Sequence, residues 1–428
     1  MGGLLRSFHY PDWGVFDYGI HTLYETKDEE VDDIILGGDF PGGWRELPGD
    51  WGGIYWHDKL NLDSPYVDLR HLEREKREKY IGEIFETFQQ KREVRADNAL
   101  HWVEDFFGDG LARDIMGPIL EKVYRSPSSE LNVAAIRLLP FTRVIGFDLA
   151  QTLDLMGSAL FRSKIAIPNQ RELPSQFAAG KKGFYPHKIG MHHYVDWLLR
   201  KFQAAGGKIH PETNVEHIRW GKDQIESVEL RDKNNNSVQL KDIHALFWAA
   251  GLPVFSFHQD APATSKVAFD KPLNTVVVNM VVSEKPKMHD AQYVYVFDPK
   301  FLTFRVANYV NFVGEVDLTP TEGYKLSLEV LAEPHEMGEG FEERIISEIC
   351  QMGIITSAGN VKFCVTEKLP GGIPKLSNKN VIGLEAVRGS VVESGVRNFK
   401  FVGVGAKNNL YFQADILAHA KEEINKFL

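Results

Sequence analysis

The side chains with the plainest chemical potential in this sequence are three clustered histidines, His187, His192 and His193, and two cysteines, Cys350 and Cys364. Histidines five and six residues apart do not share a helix face, so they are poor metal ligands and read more simply as surface or cleft-rim groups. Two cysteines make neither a disulfide framework nor a four-thiolate site. They read as buried thiols in a reducing compartment. Lysine follows glycine at Gly180, Gly207 and Gly221, but no Ser or Thr comes next, which excludes a phosphate loop of the G-x-x-x-x-G-K-[ST] kind. H-E-x-x-H and G-x-S-x-G are absent as well. What remains is an ordered series of glycines where apolar runs end: GGLLRSF, FDYGIHTLYET, GFYPHKIG, GGKIHPETNVEHI, LFWAAG and FKFVGVG. A glycine at a strand end is usually a turn or a close-packing site, so the order of the series carries more than any one member.

The elements that must hold these glycines follow from periodicity. From Leu72 to about Leu160 charge alternates with apolar residues at three- and four-residue spacing, which predicts a helical block with a solvated charged face. HHYVDWLLRKFQA predicts an amphipathic helix stopped by Gly206 and Gly207. Short alternating runs follow, with KNNNS as a hairpin turn between ESVELRD and SVQLKD. HALFWAAG and NFKFVGVG are nearly continuous apolar runs, the pattern of parallel strands covered on both faces. LNTVVVNMVVS, AQYVYVFD, TFRVANYV and YKLSLEVLA predict a second sheet, FEERIISEICQMGI a helix, and AKNNLYFQADILAHAKEEINKFL a closing helix with a polar start. The fold class is therefore α/β, with two sheets and a helical insertion.

The glycine series resembles the flavin-dependent amine oxidase and protoporphyrinogen oxidase-like superfamily, in particular its UDP-galactopyranose mutase-like branch. Gly2, Gly3 and Arg6 match the family's Gly-Gly turn with its arginine. Phe16, Asp17, Gly19 and His21 match the strand that passes the flavin, and Tyr185, Pro186, Ile189 and Gly190 a segment leading into a helix. Gly207, Ile209, Thr213 and Val215 match the adenine-side strand, Ala250 and Gly251 the strand tip near the pyrophosphate, and Gly403, Gly405 and Gln413–Asp415 the C-terminal flavin motif. The resemblance runs over essentially the whole chain. It implies FAD as cofactor, contacted by Gly2, Gly3, Arg6, Gly19, Val215, Gly251, Gly403, Gly405, Gln413 and Asp415. It implies His21 beside the flavin ring, with a buried core histidine as the competing reading, and Arg305 facing an anionic substrate or the flavin edge, with an ion pair inside the second sheet as the alternative. Tyr24, Tyr185 and Tyr309 would form an aromatic wall.

The family opens with a strand, G-x-G-x-x-G and a helix, and these 428 residues contain no such turn. The missing piece corresponds to the ~30 residues of one βαβ unit. The expectation is an incomplete, discontinuous Rossmann-like FAD-binding domain from residues 1–25, 181–270 and 375–428, with residues 26–180 and 271–374 forming the helical and mixed-sheet substrate domain. FAD binding is then expected to be weak or absent in the chain as written. A truncated N-terminus, an upstream βαβ segment or a partner subunit would account for the gap. The leading function is an FAD-dependent oxidoreductase acting on a small organic or sugar-linked substrate. The alternatives are a sugar-nucleotide mutase, with Arg305 and Arg388 as diphosphate clamps, and a flavin-less binding subunit. With 49 Lys+Arg against 59 Asp+Glu and a net charge of −10, a broad nucleic-acid surface is excluded. No apolar run has the length of a membrane span, and the expected location is cytoplasmic.

Overall fold

The computed structural model describes residues 2–90, 93–177, 181–255, 267–314, 323–369 and 374–428. Its centre is a seven-stranded sheet. The strand order is Val361–Lys368, Thr275–Val282, Tyr324–Leu331, Thr303–Asn308, Tyr293–Val296, Gly52–Trp56 and Lys59–Asn61. All pairings are antiparallel except that of Tyr293–Val296 with Gly52–Trp56. The last two strands precede the helical block that begins at Leu72, in a stretch for which the sequence predicts no strand. They are joined through His57 and Asp58, both left-handed at φ 54° and 57°, a hairpin turn that lacks the usual Asn-Gly signature.

Alternation gives this sheet two different faces. Val276, Val278, Met280, Val282, Leu326, Leu328 and Val330 point one way, and the helix Phe341–Gln351 covers them with Phe341, Ile345 and Ile349. The opposite face carries charge. Across it, the register aligns Tyr295, Arg305, Glu329, Val277 and Glu367 in one row, and Tyr293, Ala307, Ser327, Asn279 and Val365 in the next.

Two separate cores share that polar face. At one end Ile54, Trp56, Phe297, Phe304 and Leu331 pack into the helical block, which includes Arg74–Gln90, Ala99–Phe107 and Gly117–Tyr124. At the other end lies the N-terminal hairpin of Ser7–Tyr10 and Gly14–Asp17, with the helix His192–Ala204 behind it. There Trp13 stacks on Phe363 with ring centroids 5.3 Å apart. Asp17 ties this second core together. Fully buried, it accepts hydrogen bonds from Ser7 Oγ at 2.7 Å, Met191 N at 2.8 Å and the Tyr185 hydroxyl, while its own N–H donates to the Tyr309 hydroxyl at 2.7 Å.

A third core holds the runs with the parallel-strand pattern. Leu246–Trp248 pairs in parallel with Phe399–Phe401, and the antiparallel meander Thr213–Trp220, Ile225–Asp232 and Ser237–Lys241 packs on them. Trp220 and Phe399 ring centroids are 5.4 Å apart. Both strands are shorter than their apolar runs. Ala249, Ala250 and Gly251 are exposed, and the chain turns at Gly403, whose φ of +75° brings it within 3.3 Å (from an added Cβ) of the Ala249 carbonyl. Among the described residues each of these two strands has one strand neighbour. The helix Asn378–Glu393 has no sequence signature because its apolar residues point all round: Val381, Val387 and Val391 are buried, Ile382 and Val392 are 63% and 80% exposed.

Candidate active site

The seam between the two cores on the polar face is the candidate site. Tyr293 packs with the N-terminal core and Tyr295 with the helical core, their ring centroids 5.2 Å apart. Between them, Arg305 and Glu329 face each other across neighbouring strands and form an ion pair, with Nε 3.2 Å from Oε1. Burial works against the Arg305 charge, but Glu329 and the tyrosines around it outweigh that and hold the guanidinium firmly protonated. The ion-pair reading of Arg305 is therefore the observed one, and Glu329 its partner. The sequence reading missed Glu329; a charge placed within the apolar run SLEVL was the signal that could have found it.

The opposite wall comes from two loops. Gly19 has φ +81°, and an added Cβ would lie 2.8 Å from Glu329 Oε1, so only glycine lets this loop rest on the ion pair. Gly19→Ala is expected to cost about 2 kcal/mol or more, from the left-handed backbone and the displaced carboxylate together. The midpoint of urea unfolding reads this directly, and a change under about 0.5 kcal/mol would contradict the close approach. Two residues on, His21 faces Glu329 and Arg305. Its ring is hydrogen-bonded to the Tyr18 backbone, while Nε2 is buried and has no partner among the described residues. Burial pushes the imidazole below its ordinary value, against the pull of Glu329. A neutral ring anchored through one nitrogen leaves a lone pair at the other, which can accept a proton or a hydrogen bond in the seam.

The second loop brings Asp50 and Trp51. Trp51 N donates to Gln292 Oε1 at 3.2 Å and Gln292 N donates to the Trp51 carbonyl at 2.8 Å, fixing the loop beside the start of Tyr293–Val296. Asp50 lies in reach of the Tyr24 and Tyr293 hydroxyls. It is exposed, and Tyr24, Trp51, Tyr293 and Tyr295 are half-buried, yet burial raises the Asp50 carboxyl and all three tyrosines. Groups that water reaches but protein surrounds line a cleft.

The helix Gln413–Ile424 lies beside the Leu23–Tyr24 strand, with Leu417 in the N-terminal core and Tyr411, just before the helix, in the helical core. Its first turn carries no side-chain cap, so its N–H groups remain available to an acceptor. Asp415 in that turn sits 3.5 Å from Lys181 Nζ.

The remaining sequence-derived positions lie elsewhere. Gly2, at φ +95°, rests on Val195, with Gly3 beside it at φ +53°, and the Arg6 guanidinium lies 5.3 Å from the Tyr18 ring centroid. Val215 packs into the third core, Gly251 is exposed, and Gly403 touches Ala249. An added Cβ on Gly405 would meet Leu252 Cγ at 2.9 Å, so its smallness serves packing against Leu252. Arg388 donates to the Gly405 carbonyl at 3.0 Å and to Asn408, pinning this turn. Tyr24 alone of the expected aromatic wall lines the cleft. Tyr185 and Tyr309 are fully buried on Asp17, and Tyr293, Tyr295 and Trp51 take their place. The His192 and His193 rings lie tilted with centroids 3.9 Å apart, beside His9, and no metal-holding group of three ligands exists among the described residues.

No protein-family profile and no curated protein matches this chain. Solved structures do. Reduced UDP-galactopyranose mutase superposes with a TM-score of 0.70 at 14% identity, covering 99% of this chain and 86% of that one. The flavin amine oxidase-like fold is the fold of this chain. A candidate protoporphyrinogen oxidase from Exiguobacterium sp. 255-15 superposes at 0.64 with 13% identity, over 100% and 90% of the two chains. Putrescine oxidase bound to putrescine gives 0.59 at 13% identity, over 99% and 91%. Within this flavin amine oxidase-like fold, no helix of the described residues is long and apolar enough to cross a membrane.

The residues present fit one half of an FAD molecule. An orphaned imidazole nitrogen and a glycine lying on the ion pair meet at the seam, where they would suit an isoalloxazine ring, and the helix packed on Leu23–Tyr24 has an uncapped N-terminus that could donate to an acceptor. For the diphosphate half the sequence provides no glycine-rich turn after a strand.

Proposed function

We propose that this protein is an FAD-dependent oxidoreductase that takes a small organic or sugar-linked substrate in the cleft between its two cores. The observation that supports it most is the buried, unpartnered His21 Nε2 facing the Arg305–Glu329 pair, in a chain with the flavin amine oxidase-like fold. FAD would supply the electron chemistry. Gly19, His21 and the first turn of Gln413–Ile424 would hold its ring, and the more remote Gly2, Gly3, Arg6, Val215, Gly251, Gly403 and Gly405 the rest. His21, neutral and anchored, would accept a proton or a hydrogen bond from the bound substrate. Arg305, already neutralised by Glu329, would orient the substrate by hydrogen bonding more than by net charge.

A mutase reading would need arginines free to clamp a diphosphate. Arg305 is paired with Glu329, and Arg388 holds Gly405 and Asn408, which favours the oxidoreductase. Residues 1–25, 181–270 and 375–428 would form the cofactor side, the rest the substrate side. Titration of flavin with the purified chain tests the proposal. Saturable quenching of flavin fluorescence, lost in His21→Trp, is the expected result. Absence of any saturable change would overturn it and leave the flavin-less binding subunit as the surviving reading.

A further inference from the structure

The third core has a cavity of its own, about 700 Å³ in volume, whose lining shares no residue with the seam. It opens along the strand Phe399–Phe401, which has one strand neighbour among the described residues and so a free edge. Phe399 and Phe401 pack with Val387 and Val391 of the helix Asn378–Glu393. Lys400 alternates to the other face together with Phe247, its partner in register. There the Phe427 ring, just beyond the helix Gln413–Ile424, lies 5.4 Å from Phe247 between centroids. Val391, Val396, Phe399, Phe401 and Phe427 give the cavity an apolar wall.

The charges around that wall do not balance. Among the described residues Glu423 is the one carboxylate of the lining, and it lies 2.6 Å from Lys426 Nζ and 3.7 Å from His419 Nε2. Arg397 pairs with Asp223, outside the cavity. Arg388, Lys400 and Lys407 form no ion pair among the described residues, and Glu385 and Glu423 act on Arg388 and Lys400 only at longer range. Arg388 is half-buried, and burial works against its charge. Its hydrogen bonds to the Gly405 carbonyl and to Asn408 fix the guanidinium but bring no negative charge. His419 is 6% exposed, and its Nδ1 has no hydrogen-bond partner among the described residues. In a chain with a net charge of −10, three unmatched cations beside one apolar wall reverse the sign locally.

We propose that this cavity is a second binding site, for a small organic anion that carries a carboxylate or phosphate on an apolar body. Its size suits such a ligand, since small-molecule sites span about 300–1,000 Å³. The body would lie on Val391, Phe399, Phe401 and Phe427. Lys400 and Lys407, whose ammonium groups have no hydrogen-bond partner among the described residues, would hold the head, with Arg388 adding attraction. His419 would donate through Nδ1 in the tautomer that carries the proton there. An ammonium ligand would meet like charges, and a neutral one would gain the apolar wall alone. Gly251, Gly403 and Gly405 do not line the cavity, so the site is separate from the positions considered for FAD, and it does not depend on flavin binding.

Calorimetric titration of the full chain with naphthoate, naphthyl phosphate, naphthylmethanol and naphthylmethylamine tests this, and the first two arms distinguish the kinds of head group. At least one anion should bind about tenfold or more tighter than the alcohol and the amine, and its affinity should fall as salt is raised. Inorganic phosphate, which has the charge without the body, should bind more weakly by a similar factor. Lys400→Gln combined with Lys407→Gln should weaken the anion about tenfold, as expected for two partly exposed charge contacts, and leave the alcohol unchanged. The double variant should keep the parent's urea midpoint, because neither lysine forms an ion pair among the described residues. Unchanged anion affinity in the double variant, equal binding of all four naphthyl compounds, inorganic phosphate binding as tightly as either anion, or no binding of either anion would overturn the proposal.

Discussion

Riboflavin is expected to bind this 428-residue chain within about tenfold of FAD. Riboflavin keeps the ring and lacks the diphosphate and adenosine. The groups proposed for the ring side are His21 Nε2, buried and without a partner among the described residues, Gly19 on the ion pair, and the uncapped first turn of Gln413–Ile424. On the diphosphate side a glycine turn and the helix after it would donate backbone N–H groups, and the sequence has no such turn. Hydrogen bonds to charged groups contribute about 1.5–3 kcal/mol each, so two of them amount to roughly 10²–10⁴ in affinity. Parallel titrations by fluorescence quenching give the ratio. FAD binding 10³-fold or more tighter than riboflavin would show that another segment has taken the phosphate role, with the exposed tip Ala249–Gly251 the first place to look. A separate strand–glycine turn–helix segment, added in trans, should raise the affinity for FAD and leave riboflavin unchanged. Its strand has a place to pair, since Leu246–Trp248 has one strand neighbour among the described residues.

Asp17→Ala is expected to cost about 4 kcal/mol of stability. The substitution removes the acceptor for Ser7 Oγ, Met191 N and the Tyr185 hydroxyl in a place that water does not reach. Each buried donor left unpaired costs about 1–3 kcal/mol, and a small cavity adds to that. Against a total stability of roughly 5–15 kcal/mol this is a large share. Asp17→Asn keeps one acceptor oxygen and should lose less. Urea unfolding of the three proteins gives the order directly. A loss below about 1 kcal/mol for Asp17→Ala would mean that the hydrogen bonds re-form on water or on one another. The same residue lies two positions before Gly19, so damage here should also loosen the loop that carries His21.

The sequence was sufficient wherever the signal was local. The alternating runs 272–332 became four strands of the large sheet, KNNNS became the turn between Ile225–Asp232 and Ser237–Lys241, and HHYVDWLLRKFQA became a helix. The order of the glycine series was enough to name the fold, although several of those glycines are required by distant contacts, Gly19 by Glu329 and Gly405 by Leu252. Elements whose signal is tertiary escaped. Gly52–Trp56 is a strand because Tyr293–Val296 lies beside it, and Asn378–Glu393 buries Val387 and Val391 in the third core while Ile382 and Val392 stay exposed, so no apolar stripe marks it in the sequence.

The site divides in the same way. The family resemblance marked His21, and Arg305 was noted with an ion pair inside the second sheet as its alternative, but its partner Glu329 was not identified. Which face that partner occupied depended on strand register, since a shift of one residue would have turned Glu329 into the apolar core. Tyr185 and Tyr309 carry the same chemistry as Tyr293 and Tyr295, and no local pattern separates the pair buried on Asp17 from the pair lining the cleft. Asp50 left no trace in the sequence, being one of several acidic residues in an irregular loop. Its place next to Tyr293 depends on the pairing of Gly52–Trp56 with Tyr293–Val296, which exists only once the chain has folded.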